Sequence, residues 1–176
     1  MVVVMDLLLG IVATAMATDE RPPPAVTTVH RETTVATPLD ETFAFFSDAT
    51  NLERLTPAWL NFRIRSKGPL TMREGLLIDY VIRLRGLPIP WKTRIDAWEP
   101  GVRFVDRQLN GPYRWWRHEH RFTAVTGGTR VVDHVEFVPR ARWLTARFVA
   151  SEVERIFDYR AEQLKSLFGE GERHDP

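Results

Sequence analysis

Between Gln108 and Asp133 the chain reads QLNGPYRWWRHEHRFTAVTGGTRVVD, a two-residue alternation on either side of a glycine pair. Successive side chains leave a strand on opposite sides, so this pattern predicts two antiparallel strands with one face turned inward. On the first strand Trp116, His118, His120 and Phe122 share a face, and Trp115, Arg117, Glu119 and Arg121 fall on the other, solvated one. Gly127-Gly128 is a tight-turn signal, and the next run puts Val131, Asp133, Val135 and Phe137 on one side. A symmetric hairpin closed around Thr126-Gly127 sets His120 opposite Asp133, Phe122 opposite Val131 and Trp116 opposite Phe137. A histidine and a carboxylate are costly to bury among large apolar groups without partners. The inner face therefore either carries an internal network or lines a cavity.

Length sets the scale of what this hairpin belongs to. A chain of 176 residues with 44% hydrophobic content suits one well-cored domain rather than two. The net charge of +1 supplies no basic field, so a nucleic-acid partner is not expected. The basic and aromatic run RWWRHEHR resembles a single-strand binder in composition only, since alternation splits its arginines from its second tryptophan. Without cysteine the chain has neither disulfides nor thiolate chemistry.

Met1 to Ala17 is apolar apart from Asp6 and two threonines, and Pro22-Pro23-Pro24 follows as a stiff spacer. Residues 1–24 are therefore expected to be an extension outside the fold. Leu7 to Ala17 is too short to span a bilayer, so no stable membrane insertion is expected. Asp6 and the lack of a basic flank favour a cytoplasmic protein, with export as the alternative if Ala15-Met16-Ala17 is a cleavage site. The domain is expected over residues 25–169, with a disordered tail at 170–176.

Within the domain a strand at Val26 to Ala36 precedes Thr37-Pro38, which reads as an N-cap with proline at the first helical position. Leu39, Phe43 and Phe46 give a short helix its apolar stripe, and a second short helix stops at Thr56-Pro57. Strands are predicted at about 62–67, 75–85, 89–98, 103–109, 113–125 and 129–138, broken by Gly68-Pro69, Gly86 to Pro88, Pro100-Gly101 and Gly111-Pro112. Trp143 to Phe168 carries apolar groups at near-helical period, long enough to cross a whole sheet. The order predicts an α+β domain: a strongly curved antiparallel sheet of about seven strands wrapped around one long C-terminal helix, with two short helices after the first strand.

The segments TPLDETFAFFSDATNLERLTPAW, LPIPWKTRIDAWEPG, FVDRQLNGPYRWWRHEHRF, GGTRVVDHVEF and IFDYRAEQL resemble the START-like, helix-grip superfamily called SRPBCC. The similarity is strongest to its subgroup of polyketide cyclases/dehydrases and coenzyme-Q-binding START-domain proteins, over about Val29 to Phe168. The resemblance implies a deep apolar cavity between sheet and helix, used across the superfamily for lipids, hormones, polyketides and quinones. Fold alone does not choose among these.

Strand patterning points to the same cavity. Ile78, Tyr80 and Ile82 face inward on one strand and Ile89, Trp91, Thr93, Ile95 and Ala97 on the next. Phe104, Asp106 and Gln108 follow inward if Arg103, Val105, Arg107 and Leu109 face out. With Trp59 at the mouth, Trp116 and Phe137 on the hairpin, and Val153 and Phe157 on the long helix, these form the expected ligand-binding set. A pocket of ~300–1,000 Å³ is the usual size for such a lining. Asp106, Gln108, His118, His120 and Asp133 are either a ligand-orienting or acid/base group, or a histidine-carboxylate network that holds strands in register. His118, His120 and Asp133 are the catalytic candidates. The same three match a three-ligand metal set, but with no other metal motif neither metal nor cofactor is expected. Asp158-Tyr159-Arg160 is read as a rim salt bridge. The functions in play are a non-catalytic binder of a small hydrophobic molecule, a polyketide-type cyclase or dehydratase, and a protein-interaction module. Oligomeric state is not legible.

Overall fold

The computed structural model describes residues 23, 25–84, 86–140 and 146–171. Strand β1 (Thr27–Val35) leads into helix α1 (Leu39–Phe46), helix α2 (Leu52–Leu55) and two single 3-10 turns. Strands β2 (Arg63–Ile64), β3 (Leu77–Leu84), β4 (Leu87–Glu99), β5 (Arg103–Asn110), β6 (Tyr113–Val125) and β7 (Gly128–Pro139) follow, and then helix α3 (Ala146–Phe168). The strands form one sheet in the order β1-β7-β6-β5-β4-β3-β2, every neighbouring pair antiparallel. A long loop over residues 65–76 joins β2 to β3, short turns make β3 to β7 a meander, and β1 pairs with the free edge of β7. This is the α+β helix-grip architecture expected from the element order. The N-terminal extension lies outside the described residues.

The β6-β7 hairpin has the predicted register: His120 faces Asp133, Phe122 faces Val131 and Trp116 faces Phe137. A two-residue turn, Thr126-Gly127, achieves it, with Gly127 at φ +76°. Gly128 is needed for another reason. A Cβ there would sit 1.9 Å from the Val35 carbonyl oxygen, so the hairpin and the end of β1 close only around glycine. Two register shifts between β4 and β5, at Lys92/Thr93 and Ile95/Ala97, bend the sheet. The second one changes which side of β4 faces the core. Trp98 packs on Phe43 and Phe104 at centroid distances of 5.0 and 5.5 Å, in place of the inward alternation expected to end at Ala97.

Helix α3 lies in the concave side of the sheet, with Val153, Phe157, Arg160 and Leu164 buried along one stripe. Its C-terminal end is tied to the β1-α1 junction. The Thr37 hydroxyl donates to the Phe168 carbonyl at 3.0 Å, and the Ala36 and Gly171 amides donate to Gly169 and Thr34 carbonyls. The first two use carbonyls at the helix end that would otherwise be unpaired, and the third returns the chain to β1. Thr37 is thus not the N-cap of α1: Pro38 takes that position, without a side-chain cap. The same contacts shorten the expected tail, because Glu170 still bridges Val35. Residues 172–176 lie outside the described residues.

The convex face of the sheet departs from the alternation. Val105, Arg107, Trp115 and Glu119 were expected outward into solvent, yet all are buried. Ion pairs cross this face, Arg94 and Arg107 both to Asp96 at 2.6 and 2.7 Å, and Arg117 to Glu119 at 2.7 Å. Long arginine stems lying along the strands remove area from water that a pattern of polar letters assigns to solvent.

Gly128→Ala is expected to destabilise the fold by about 1–3 kcal/mol more than Gly127→Ala, because it adds backbone overlap with Val35, whereas Gly127→Ala meets no atom within 4 Å and carries only the left-handed backbone cost of about 1–2 kcal/mol at φ +76°. Urea unfolding checks this. Equal effects of the two substitutions would show that the β1-β7 closure does not depend on the missing side chain.

Candidate functional site

Two apolar clusters fill the space between sheet and helix, and a polar group sits where they meet. One cluster joins Phe43 and Phe46 of α1 to Ile78, Ile95, Phe104 and Phe122. The other joins Phe62, Trp91, Trp116 and Phe137 to Val153 and Phe157 of α3. His120 stacks on Phe104 at 4.0 Å and His118 meets Phe157 edge-on at 5.0 Å, so each imidazole touches a different cluster.

The polar group is built from three strands and the helix. His118 and His120, on one face of β6, have ring centroids 3.7 Å apart. His118 Nε2 and His120 Nδ1 each lie 2.9 Å from Asp133 Oδ1 on β7. His118 Nδ1 and His120 Nε2 lie 3.3 and 3.2 Å from Asp106 Oδ2 on β5. Arg160 of α3 completes it: Nε donates to Asp133 Oδ2 at 3.1 Å, and Nη2 lies 3.3 Å from His120 Nδ1. Sequence reading placed Arg160 at the rim; it is 6% exposed. The signal was present in the helical period, because Arg160 follows Val153 by seven and Phe157 by three on the buried stripe. A buried guanidinium needs a carboxylate opposite it, and Asp133 supplies one. The two neighbours expected with it do lie outside: Asp158 pairs with Arg31 at 2.6 Å, and Tyr159 packs on Trp59.

The electrostatics follow from this geometry. Burial raises the Asp133 carboxyl, but the Arg160 charge and both histidines outweigh it and hold the group well below the usual carboxylate range. Asp106, also raised by burial, is carried below its ordinary value by hydrogen bonds from His118 and His120. Burial lowers His118, yet the two carboxylates that face its two nitrogens win, and its net shift is upward. His120 is lowered, first by burial and then by the His118 charge beside it. The Arg160 guanidinium and the two imidazoles together partner both carboxylates. Such a set is inexpensive to bury only when complete.

Beside it lies a cavity of about 170 Å³. Asp106, His118, His120 and Arg160 border one part of its wall, and Phe46, Tyr80, Trp91, Phe104, Trp116 and Phe157 supply the bulk of the aromatic surface. The volume is below the ~300–1,000 Å³ expected for a typical pocket, because Phe62, Tyr80, Trp91, Tyr113 and Trp116 stack on one another inside the sheet at centroid distances of 4.8 to 5.6 Å. Of the residues expected to bind a ligand, Ile78, Tyr80, Ile82, Trp91, Phe104, Asp106, Trp116, His118, His120 and Phe157 line this space. Asp133 stands behind the two histidines. Phe137 and Val153 are buried in the second cluster. Gln108 is used structurally, donating to the Tyr113 carbonyl at 2.7 Å and accepting from its amide at 3.2 Å. Trp59 is 46% exposed and packs outside, under Arg155 at 4.5 Å. Phe46, Leu60, Phe62, Met72 and Tyr113 line the cavity without having been expected there: Phe46, Leu60 and Met72 come from helix ends and a loop, Phe62 precedes the short β2, and Tyr113 starts β6 ahead of a register shift that changes its face.

Asp106 has one further property. Its Oδ2 takes both imidazoles, while Oδ1 receives no hydrogen bond among the described residues. On a cavity wall that oxygen is an acceptor available to a guest.

A curved seven-stranded antiparallel sheet gripping a long helix over an aromatic cavity defines a helix-grip ligand-binding domain of the START-like, SRPBCC type. The chain belongs to the family described as polyketide cyclase / dehydrase and lipid transport, which matches residues 26–169. No curated protein matches it in sequence. Among solved structures it is similar to the Zhui aromatase/cyclase from Streptomyces sp. R1128, at 19% identity and TM-score 0.65, covering 81% of this chain and 93% of that one. A Chromobacterium violaceum protein is similar at 14% identity and TM-score 0.66, covering 81% and 98%. So is major latex-like protein 151 of Panax ginseng, at 9% identity and TM-score 0.63, covering 81% and 97%. At these identities the likeness is one of fold. No helix among the described residues is long and apolar enough to cross a membrane.

Two outcomes test the polar group. Arg160→Met is expected to cost about 3–5 kcal/mol by leaving Asp133 buried and unpaired, and adding Asp133→Asn should recover part of that loss, a coupling of about 0.5–3 kcal/mol. Additive effects in urea unfolding would mean that the pair does not interact. The second outcome is a pH profile. Asp106 and Asp133 have lowered values, so the stability they contribute is present above about pH 4 and lost as pH falls through their folded-state values. His118, raised, contributes below about pH 6.5 and loses that contribution as pH rises through its folded-state value. His120, lowered, acts in the opposite sense and opposes folding as it is protonated below about pH 6.5. Thermal melts between pH 2 and 8 should show a steep acid limb that Asp133→Asn flattens; an unchanged limb would contradict the arrangement.

Proposed function

We propose that the protein is a non-catalytic binder of a small hydrophobic molecule, acting as carrier, chaperone or sensor. The observation that carries this reading is the aromatic cavity with Asp106 on its wall, whose Oδ1 receives no hydrogen bond among the described residues. An apolar cavity of roughly 150 Å³ is enough for benzene, so about 170 Å³ suits a one-ring guest, or a larger one if the mouth opens. An ionised carboxylate oxygen favours a guest that donates a hydrogen bond. A hydroxyl, as in a phenol, enol or hydroquinone, fits this requirement better than the bare carbonyl of a quinone.

Proton transfer is poorly served by the same group. A general base works best with a pKa near the operating pH, whereas both carboxylates are held low and both His118 nitrogens face carboxylates. The second reading, a cyclase or dehydratase of polyketide type, draws on the family description and on the likeness to an aromatase/cyclase. Under it the His118, His120 and Asp106 wall would act on a bound carbonyl, and His120→Gln would abolish turnover of a polyketide-like substrate while leaving its binding intact.

The test is a cavity-filling substitution. Ile78 is 1% exposed and lines the cavity. Ile78→Phe should abolish saturable binding of an environment-sensitive apolar dye while costing less than about 1.5 kcal/mol, because the added atoms enter existing space; in a filled core the same change costs typically 1–3 kcal/mol. Wild-type protein without saturable dye binding, together with a strongly destabilised Ile78→Phe variant, would remove the cavity and with it the proposed function.

A further inference from the structure

We propose that Asp106, His118 and His120 form a site for one first-row divalent cation of the zinc and iron(II) group on the cavity wall. The proposal goes beyond ligand binding and stands whether or not an organic guest enters. Asp106 Oδ2 lies 3.3 Å from His118 Nδ1 and 3.2 Å from His120 Nε2, and one ligand atom from each residue falls within 4.8 Å of the others. An ion with ligand distances of ~2.0–2.2 Å requires donor-to-donor edges of roughly 3.0 Å in octahedral and 3.4 Å in tetrahedral geometry. The two edges to Asp106 lie between these, and a bound ion would set the third, between the two imidazole nitrogens. The donor types also fit: two imidazoles and one carboxylate suit zinc or iron(II) and leave coordination positions for water or a guest.

The second observation is what stands behind the donors. The other nitrogen of each histidine, Nε2 of His118 and Nδ1 of His120, lies 2.9 Å from the same oxygen, Asp133 Oδ1. A carboxylate behind a ligating imidazole fixes its tautomer and aims its far nitrogen at a metal. Here one carboxylate does this for both rings, and Arg160 holds that carboxylate from the helix at 3.1 Å. The Arg160 charge lies on the rear side, against Asp133 and His120 Nδ1, so it neutralises the supporting carboxylate without occupying the donor face. The sequence offered Asp133 as the third ligand; the geometry gives that place to Asp106 and makes Asp133 the support.

The experiment uses untagged full-length protein carrying His30→Ala, His134→Ala and His174→Ala. The first two remove a surface histidine pair, with ring centroids 6.0 Å apart, as a competing source of imidazole ligands. Cobalt(II) titration followed by visible absorption, with zinc competition, should give one ion per chain at micromolar or tighter affinity. Asp106→Asn should weaken binding at least 100-fold, and Asp133→Asn roughly 10- to 100-fold. No saturable binding, or stoichiometric binding unchanged by Asp106→Asn, would overturn the proposal. Should Asp106→Asn fail to fold, the imidazole nitrogen NMR signals of the protein with Asp106 intact decide: zinc-induced shifts at His118 Nδ1 and His120 Nε2 support the site, and unshifted signals at both overturn it.

Discussion

The buried ion pair between Asp133 and Arg160 is the contact on which the rest of the interior depends. It joins the central hairpin of the sheet to the helix that the sheet grips, and it does so at the meeting point of two apolar clusters. Neither charge is affordable alone at that depth. Once Asp133 is neutralised by Arg160, its other oxygen can orient both histidines. Those in turn hold Asp106 ionised against the cavity. The geometry of the cavity wall is therefore set by a residue of the long helix that never appears on the strands it organises.

The cavity results from curvature together with side-chain size. Register shifts on β4 bend the sheet, and α3 is tied down at its far end by Thr37 and Ala36, so the concave side cannot collapse onto the helix everywhere. Aromatic rings then fill most of what remains. The space left is small and largely apolar, with Asp106, His118, His120 and Arg160 along one part of its wall, a combination that suits the proposed binding of one modest guest better than retention of a long acyl chain. In the proposed function, size limits which molecules enter, and the Asp106 carboxylate selects for those with a donor.

Much of this was legible in the residues. The glycine pair and strict alternation between Arg114 and Phe137 set the hairpin register, because a one-residue slip would expose Phe122, Val131 and Phe137 together. That register alone puts His120 beside Asp133. What alternation could not carry was position across non-adjacent elements: the place of Asp106 depends on β5 pairing with β6, and Arg160 on the helix docking angle. It also misjudged faces where bulges intervene, as at Trp98, and where arginine stems cover the convex side, as at Trp115 and Glu119. Trp59 and Gln108 have the chemistry of cavity residues but follow local turns, one outward onto α3 and the other into the backbone of Tyr113.

The most direct test of a cavity with one polar pole is a crystal structure of the protein soaked with a para-alkylphenol. The ring should lie between Tyr80, Trp91 and Phe104, with its hydroxyl within hydrogen-bonding distance of Asp106 Oδ1. Density for the phenol only on the outer surface, or inside the cavity with its hydroxyl turned away from Asp106, would contradict the account.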